Sequence, residues 1–254
     1  MANRQRAEAR RKAAAQAARK EGGSKPILWV VAALVVVVAV VVAVVVAGGG
    51  NDATSASSSS VESTTPGSGT TDGYLDADGR PYSQPVVIDG EPLAAYNKDA
   101  EFDDAVGTPA PTLSGKDFQG KDIVIDPAAN GPYMIVFLAH WCPHCNAEVP
   151  RLLDWKNAGL VPQELNVVGV ATAVAADAAN FPPAQWFSNK GWSWPVIVDE
   201  YQGAGAGGTA ASAFGASGWP YFVIIGADGL VKVRKSGEIE ISELQTIVAD
   251  ALAS

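Results

Sequence analysis

The chain holds two cysteines and two histidines, and all four lie in "HWCPHC", His140 to Cys145. Three chemistries suit such a cluster: a metal site, a structural cross-link, or a pair of thiols that exchanges electrons. Zinc accepts mixed Cys/His sets, but its structural sites combine ligand pairs a dozen or more residues apart. Wrapping one six-residue segment around a tetrahedral ion would strain it severely, so no metal ligand is assigned. A cross-link between Cys142 and Cys145 closes a tiny loop, which limits its entropic gain. The spacing favours a redox-active Cys142–Cys145 pair, which needs no separate cofactor.

What positions the pair decides its chemistry. "PYMIVFLAH", Pro132 to His140, is a continuous apolar run with β-branched residues, as in a strand buried on both faces. "AEVPRLLDWKNAG" then carries Val149, Leu152 and Leu153 at helical spacing and ends at Gly159. The cysteines therefore fall at a helix start. The first turn offers free N–H groups and the positive end of the helix dipole, both of which stabilise a thiolate. Such placement lowers a cysteine pKa from ~8.5 into the ~3.5–7.5 range. Pro143 suits a first turn, where its missing N–H costs nothing. His144 adds a second stabiliser when it is charged or donates a hydrogen bond. A reduced form held more tightly makes the disulfide a stronger oxidant. His140 is expected to be a partly exposed loop residue.

The rest of the chain supplies the frame. "LNVVGVATAV" and "WPVIVDE" read as strands, "PPAQWFSNKG" and "GTAASAFGASG" as short helices. "YFVIIGADGLVKVRK" reads as a hairpin and "ISELQTIVADALA" as a closing amphipathic helix. Before the cysteines, "GTPAPTLSGKDFQGKDIVI" reads as a loop and two short strands around a glycine turn. Strands alternating with helices, then a hairpin and a helix, predict an α/β fold with a mixed central sheet flanked by helices. Trp186, Trp192 and Trp194 are expected to be core and rim packing.

Ahead of this domain, "ILWVVAALVVVVAVVVAVVVA", Ile27 to Ala47, is 21 residues without a charge. At about 1.5 Å per residue it spans roughly 30 Å, a bilayer core, and is expected to be one transmembrane helix. Eight basic and two acidic residues precede it. That net +6 leaves −15 after the run, out of −9 overall. Basic flanks stay cytoplasmic. The expected organisation is a cytoplasmic tail (1–26), a membrane span (27–47), a flexible Ser/Thr/Gly-rich linker and lead-in (48–106), and an extracytoplasmic domain (107–254). The run is longer than a signal-peptide core, which favours an uncleaved anchor. An acidic outward segment repels phosphates and argues against nucleic acid as a partner.

From about residue 107 to 254 the chain resembles the thioredoxin-like proteins, specifically the membrane-anchored TlpA/ResA group of extracytoplasmic thiol–disulfide oxidoreductases. "FLAHWCPHCNAEVP" is similar to that group's W-C-x-x-C-x-x-E-x-P signature, at Trp141, Cys142, Cys145, Glu148 and Pro150. "GASGWPYFVIIGADGLV" is similar to the segment carrying the family's cis-proline, here Pro220 after Trp219. The resemblance implies a thioredoxin fold, with Cys142 as the exposed nucleophile and Cys145 as the buried resolving thiol. It implies that Pro220 faces the pair and presents the Trp219 backbone to an extended substrate peptide. Trp141 is expected to shield the disulfide and contact substrate, and Pro150 to kink the active-site helix.

Two features depart from this pattern. Many thioredoxins carry a buried acid six residues before the first cysteine, where this chain has Val136. Glu148 is the nearby acid, expected to face solvent or a backbone group rather than act as a base. The Pro143-His144 dipeptide is that of DsbA-type oxidases, on a scaffold similar to reductases. The expected function is donation of the Cys142–Cys145 disulfide to exported protein thiols, with a membrane redox partner. The alternatives are a reductase for partners such as apocytochromes and a non-catalytic binding module. A peroxidase of the peroxiredoxin pattern needs a threonine where Ala139 stands, and is set aside.

Overall fold

The computed structural model describes residues 74–253. The basic tail, the apolar run 27–47 and the linker up to residue 73 lie outside them. Among the described residues no helix is long and apolar enough to cross a membrane.

The elements begin with β1 (Val87–Asp89), β2 (Thr112–Lys116), β3 (Asp122–Ile125), α1 (Pro127–Asn130) and β4 (Tyr133–Leu138). They continue with α2 (Pro143–Asn157), β5 (Asn166–Ala171), α3 (Pro183–Asn189), β6 (Val196–Val198) and α4 (Thr209–Ala213). Strands β7 (Tyr221–Ile225) and β8 (Val231–Ser236) and helix α5 (Ile241–Ala253) complete them. Five strands form one sheet in the order β6-β5-β4-β7-β8. Strands β4, β5 and β6 are parallel, and β7 and β8 run antiparallel to their neighbours. Strands β1, β2 and β3 form a separate antiparallel sheet.

Strand β4 sits at the centre, and all six of its residues are buried. Successive side chains of a strand point to opposite faces. Met134, Val136 and Leu138 therefore join Cys145, Val149, Leu152, Trp155, Leu244 and Val248 in one core, between the sheet and helices α2 and α5. Tyr133, Ile135 and Phe137 join Val168, Val170, Ile197, Val223 and Phe214 in a second core, under β2, β3 and α4. The parallel register, Val136 beside Gly169 and Leu138 beside Ala171, brings the ends of β4 and β5 to one edge. The cysteines follow there.

Residues 74–106, assigned to the lead-in by sequence, pack on this body. Strand β1 pairs with β2, Leu93 is buried, and its N–H donates to the carbonyl of Ala213 at 2.8 Å. The strongest tie is ionic. Arg234 of β8 donates from Nε to Asp103 Oδ2 at 2.9 Å and from Nη2 to Asp103 Oδ1. Its Nη1 donates to the carbonyls of Ala94 and Phe214. Burial acts to raise the Asp103 pKa, but the hydrogen bonds from Arg234 and the Ala105 N–H outweigh it and hold the carboxyl below its ordinary value.

Asp103 is partly buried and Arg234 is buried, so removing the carboxylate leaves the guanidinium charge with only carbonyl partners. Asp103→Ala should cost about 3 kcal/mol in urea unfolding. With the folded pKa depressed, the stabilisation is complete above the unfolded value of about 3.9 and is lost as pH falls through the lower folded value. Urea midpoints measured from pH 7 to pH 3 should show this loss in the unaltered protein and not in the variant.

Candidate functional site

Cys142 precedes the first turn of α2 with extended backbone, φ −71° and ψ 123°, and Pro143 opens the helix. The Cys142 carbonyl accepts from the backbone N–H of Asn146 and from its side-chain Nδ2. Sequence implied an exposed nucleophile. The structure corrects this: Cys142 keeps only 5% of its surface, in a core against which the half-buried Trp141 and Trp219 pack. Its Sγ donates to the carbonyl of Trp219 at 3.4 Å. The Trp219–Pro220 peptide is cis, and the Trp219 carbonyl stands beside the Cys142 sulfur.

Cys145 is fully buried, and both cysteines are free thiols. Its pKa is pushed far up, first by burial. A hydrogen bond with the Ala139 backbone offsets part of this, while contact with Cys142 and the charge of Glu148 add to the rise. Cys145 is held as a thiol, which suits a sulfur that acts only when its neighbour forms or leaves a disulfide.

Glu148, expected to face solvent or a backbone group, does not face solvent: it is 0% exposed, and its partner is a distant backbone N–H. Its position i+3 from Cys145 puts it on the cysteine's face. Oε2 accepts from the Ile239 N–H at 3.2 Å and from Arg151 Nη1 at 3.3 Å. Oε1 is buried without a hydrogen-bond partner. Burial raises the Glu148 pKa, and its two donors only partly counter this. Val136 supplies no acid on the strand, and Glu148 is a buried acid on the helix whose charge acts on Cys145.

The two histidines diverge. His140 was expected to be partly exposed and is 1% exposed. Nδ1 lies 2.8 Å from the Ala179 carbonyl, and Nε2 accepts from the Ala175 N–H at 3.3 Å. Those partners require a neutral ring protonated on Nδ1. His140 therefore braces the loop after β5 rather than tuning a sulfur. His144 is 67% exposed, and its Nδ1 lies 2.7 Å from Glu238 Oε1. Among the described residues no hydrogen bond joins His144 to either sulfur, and no group of three or more His, Cys, Asp or Glu side chains is placed to hold a metal.

Trp141 donates from Nε1 to the Ala173 carbonyl at 2.6 Å. Trp186 is buried and donates to Asn146 Oδ1 at 2.9 Å, linking α3 to the start of α2. Trp192 and Trp194 meet edge to face at 5.0 Å, and Lys156 lies over the Trp194 ring. Pro150 lies inside α2, which runs unbroken from Pro143 to Asn157. Sequence reasoning missed Arg151, Glu238 and Asn146. Arg151 has a helical signal, three residues after Glu148. Glu238 has none.

A mixed sheet with helices on both faces, a C-x-x-C at the head of the helix after the central strand, and a cis-proline beside it define a thioredoxin-like α/β fold. Residues 106–234, just over half the chain, match the model of the AhpC/TSA family, and the chain belongs to that family. Solved structures similar to it include a thiol:disulfide interchange protein of the thioredoxin family from Chlorobium tepidum TLS. It is 27% identical over 58% of this chain and 98% of that one, with a TM-score of 0.46. The dsbF protein of MTB, in mixed oxidized and reduced forms, is 22% identical over 54% and 93%, with a TM-score of 0.44. StoA from Bacillus subtilis is 18% identical over 56% and 98%, with a TM-score of 0.43. No curated protein matches the chain.

Burial depresses the His140 pKa despite its bond to Ala179. The folded ring refuses a proton that the unfolded chain accepts, so its stabilisation is full above about pH 6.5 and is lost as pH falls from there through the lower folded pKa. His140→Ala should remove this dependence and speed hydrogen exchange at the Ala175 amide by about tenfold or more, the loss of a net hydrogen bond worth ~1.4 kcal/mol. Unchanged exchange would show that the ring does not brace the loop.

Proposed function

We propose that this protein is a membrane-tethered, extracytoplasmic thiol–disulfide oxidoreductase that donates its Cys142–Cys145 disulfide to exported protein thiols. The observation that carries the reading is the asymmetry of the two sulfurs. Cys142 lies at a helix start against the Trp219 carbonyl and Pro220. Cys145 lies behind it, fully buried near a buried acid.

The reaction balances as two exchanges. A substrate thiolate attacks Sγ of Cys142, the Cys142–Cys145 bond breaks, and Cys145 leaves and takes a proton. A second substrate thiolate then attacks the substrate sulfur of the mixed disulfide and releases Cys142 as a thiolate. Two electrons pass from the substrate thiols to the pair. Glu148 would supply the proton to Cys145, and withdraw it in the reverse direction. The Trp219 carbonyl would accept a hydrogen bond from an extended substrate backbone once Cys142 has lost its proton, and Trp141 would cover the disulfide. Ala139 is fully buried and offers no hydroxyl to a peroxide, which counts against a peroxidase. The membrane tether rests on the apolar run 27–47 and its basic flank. One observation favours the reductase alternative: His144 is engaged by Glu238 rather than by a sulfur.

The glutathione equilibrium of the purified domain tests the direction. A potential well above thioredoxin's, about −270 mV, and toward the −120 mV of a strong oxidant is expected; a value at or below −270 mV would make it a reductase. Cys145→Ser should trap mixed disulfides with exported proteins and Cys142→Ser should trap none. Failure of Cys145→Ser to trap any partner would leave only the binding module. Glu148→Gln should slow attack of Cys145 on a Cys142 mixed disulfide by about a hundredfold, the scale of general acid–base catalysis. An unchanged stopped-flow rate would remove Glu148 from the proton path.

A further inference from the structure

Ninety-four positions separate His144 from Glu238, yet His144 Nδ1 lies 2.7 Å from Glu238 Oε1. The other oxygen, Oε2, accepts from Arg151 Nη1 at 2.5 Å, and the same nitrogen reaches Glu148 Oε2 at 3.3 Å. The flanking residues also touch the site. The Gly237 N–H donates to the Pro220 carbonyl at 2.9 Å, and the Ile239 N–H donates to Glu148. Three consecutive residues between β8 and α5 thus meet the cis-proline, the motif histidine and the buried acid. Gly237 has φ +96°, a conformation that side-chain-bearing residues rarely adopt, so this turn depends on glycine.

The charges at this turn set its effect. His144 and Arg151 face Glu238, Glu240 Oε1 lies 3.8 Å from Arg151 Nη2, and Glu148 stands behind Arg151. A carboxylate accepting from Nδ1 fixes the ring's tautomer and orientation. A negative charge at the head of α2 also opposes a thiolate there.

We propose that Glu238 is a positioning residue that restrains the oxidising bias of Cys142-Pro143-His144-Cys145, by holding the His144 ring through Nδ1 and setting a negative charge at the head of α2. This rests on the redox reading above.

The test is the equilibrium in which the protein disulfide and two glutathione thiols give the protein dithiol and glutathione disulfide. Glu238→Gln keeps the side chain's size and removes its charge. The equilibrium constant should shift toward the dithiol by about two- to fivefold, the scale of a single charge at a helix end. Glu238→Asp should recover part of the difference. In a His144→Ala background the Glu238→Gln shift should shrink, and nitrogen NMR of His144 should show its proton leaving Nδ1 in Glu238→Gln. An unchanged constant in folded Glu238→Gln, or the same shift with and without His144, would overturn this role and leave the oxidoreductase intact. A Cys142–Cys145 pair that does not exchange with glutathione in the unaltered protein would remove the function and this role together.

Discussion

Burial of β4 on both faces is the constraint from which the site follows. A strand with six buried residues and no polar face can exist only between two layers. One core therefore forms on the Met134, Val136 and Leu138 side, and another on the Tyr133, Ile135 and Phe137 side. The chain leaves this slab at Ala139, itself buried, and enters α2 within four residues. Cys142 falls at the rim of the slab and Cys145 inside it because one helical turn dips toward the core. The difference between the two sulfurs is a difference in depth.

Depth also explains the acid. A carboxyl group inside an apolar core is costly when charged unless donors reach it. Glu148 receives two, from Ile239 and Arg151, and keeps one oxygen unpaired. That is less than full compensation, and its proton affinity rises accordingly. Cys145 shares the environment and the direction of shift. The same burial thus holds both groups toward their neutral forms. Asp199 is buried with more donors: its carboxyl accepts from the N–H groups of Glu200, Ala210 and Ala211 and from the Thr172 hydroxyl, and caps α4, yet burial still raises its pKa.

Strand and helix identities were legible because hydrophobic period and glycine punctuation report local geometry. The β4 run, the helix from Pro143 ending before Gly159, and the hairpin through Ala227-Asp228-Gly229 all lie where pattern places them. The C-x-x-C motif was legible for the same reason, since a strand, a proline and a helix start are neighbours in sequence. What pattern could not supply were side-chain destinations decided by distant chain. Glu148 reads as an acid facing solvent or a nearby backbone group until Ile239, 91 positions away, is brought over it. His140 reads as a loop residue until the segment from Ala175 to Ala179 closes on its ring. The packing of residues 74–106 turns on Arg234, whose partner Asp103 lies 131 residues away.

The separations within the site impose an order on its making. Cys142 meets Trp219 across 77 positions, Glu148 meets Ile239 across 91, and His144 meets Glu238 across 94. At about 5–20 residues per second, roughly 5–20 s of synthesis pass between the appearance of the motif and the appearance of the residues that enclose it. Through that interval the two thiols belong to an incomplete chain, with neither the proline beside them nor the acid's donor yet made.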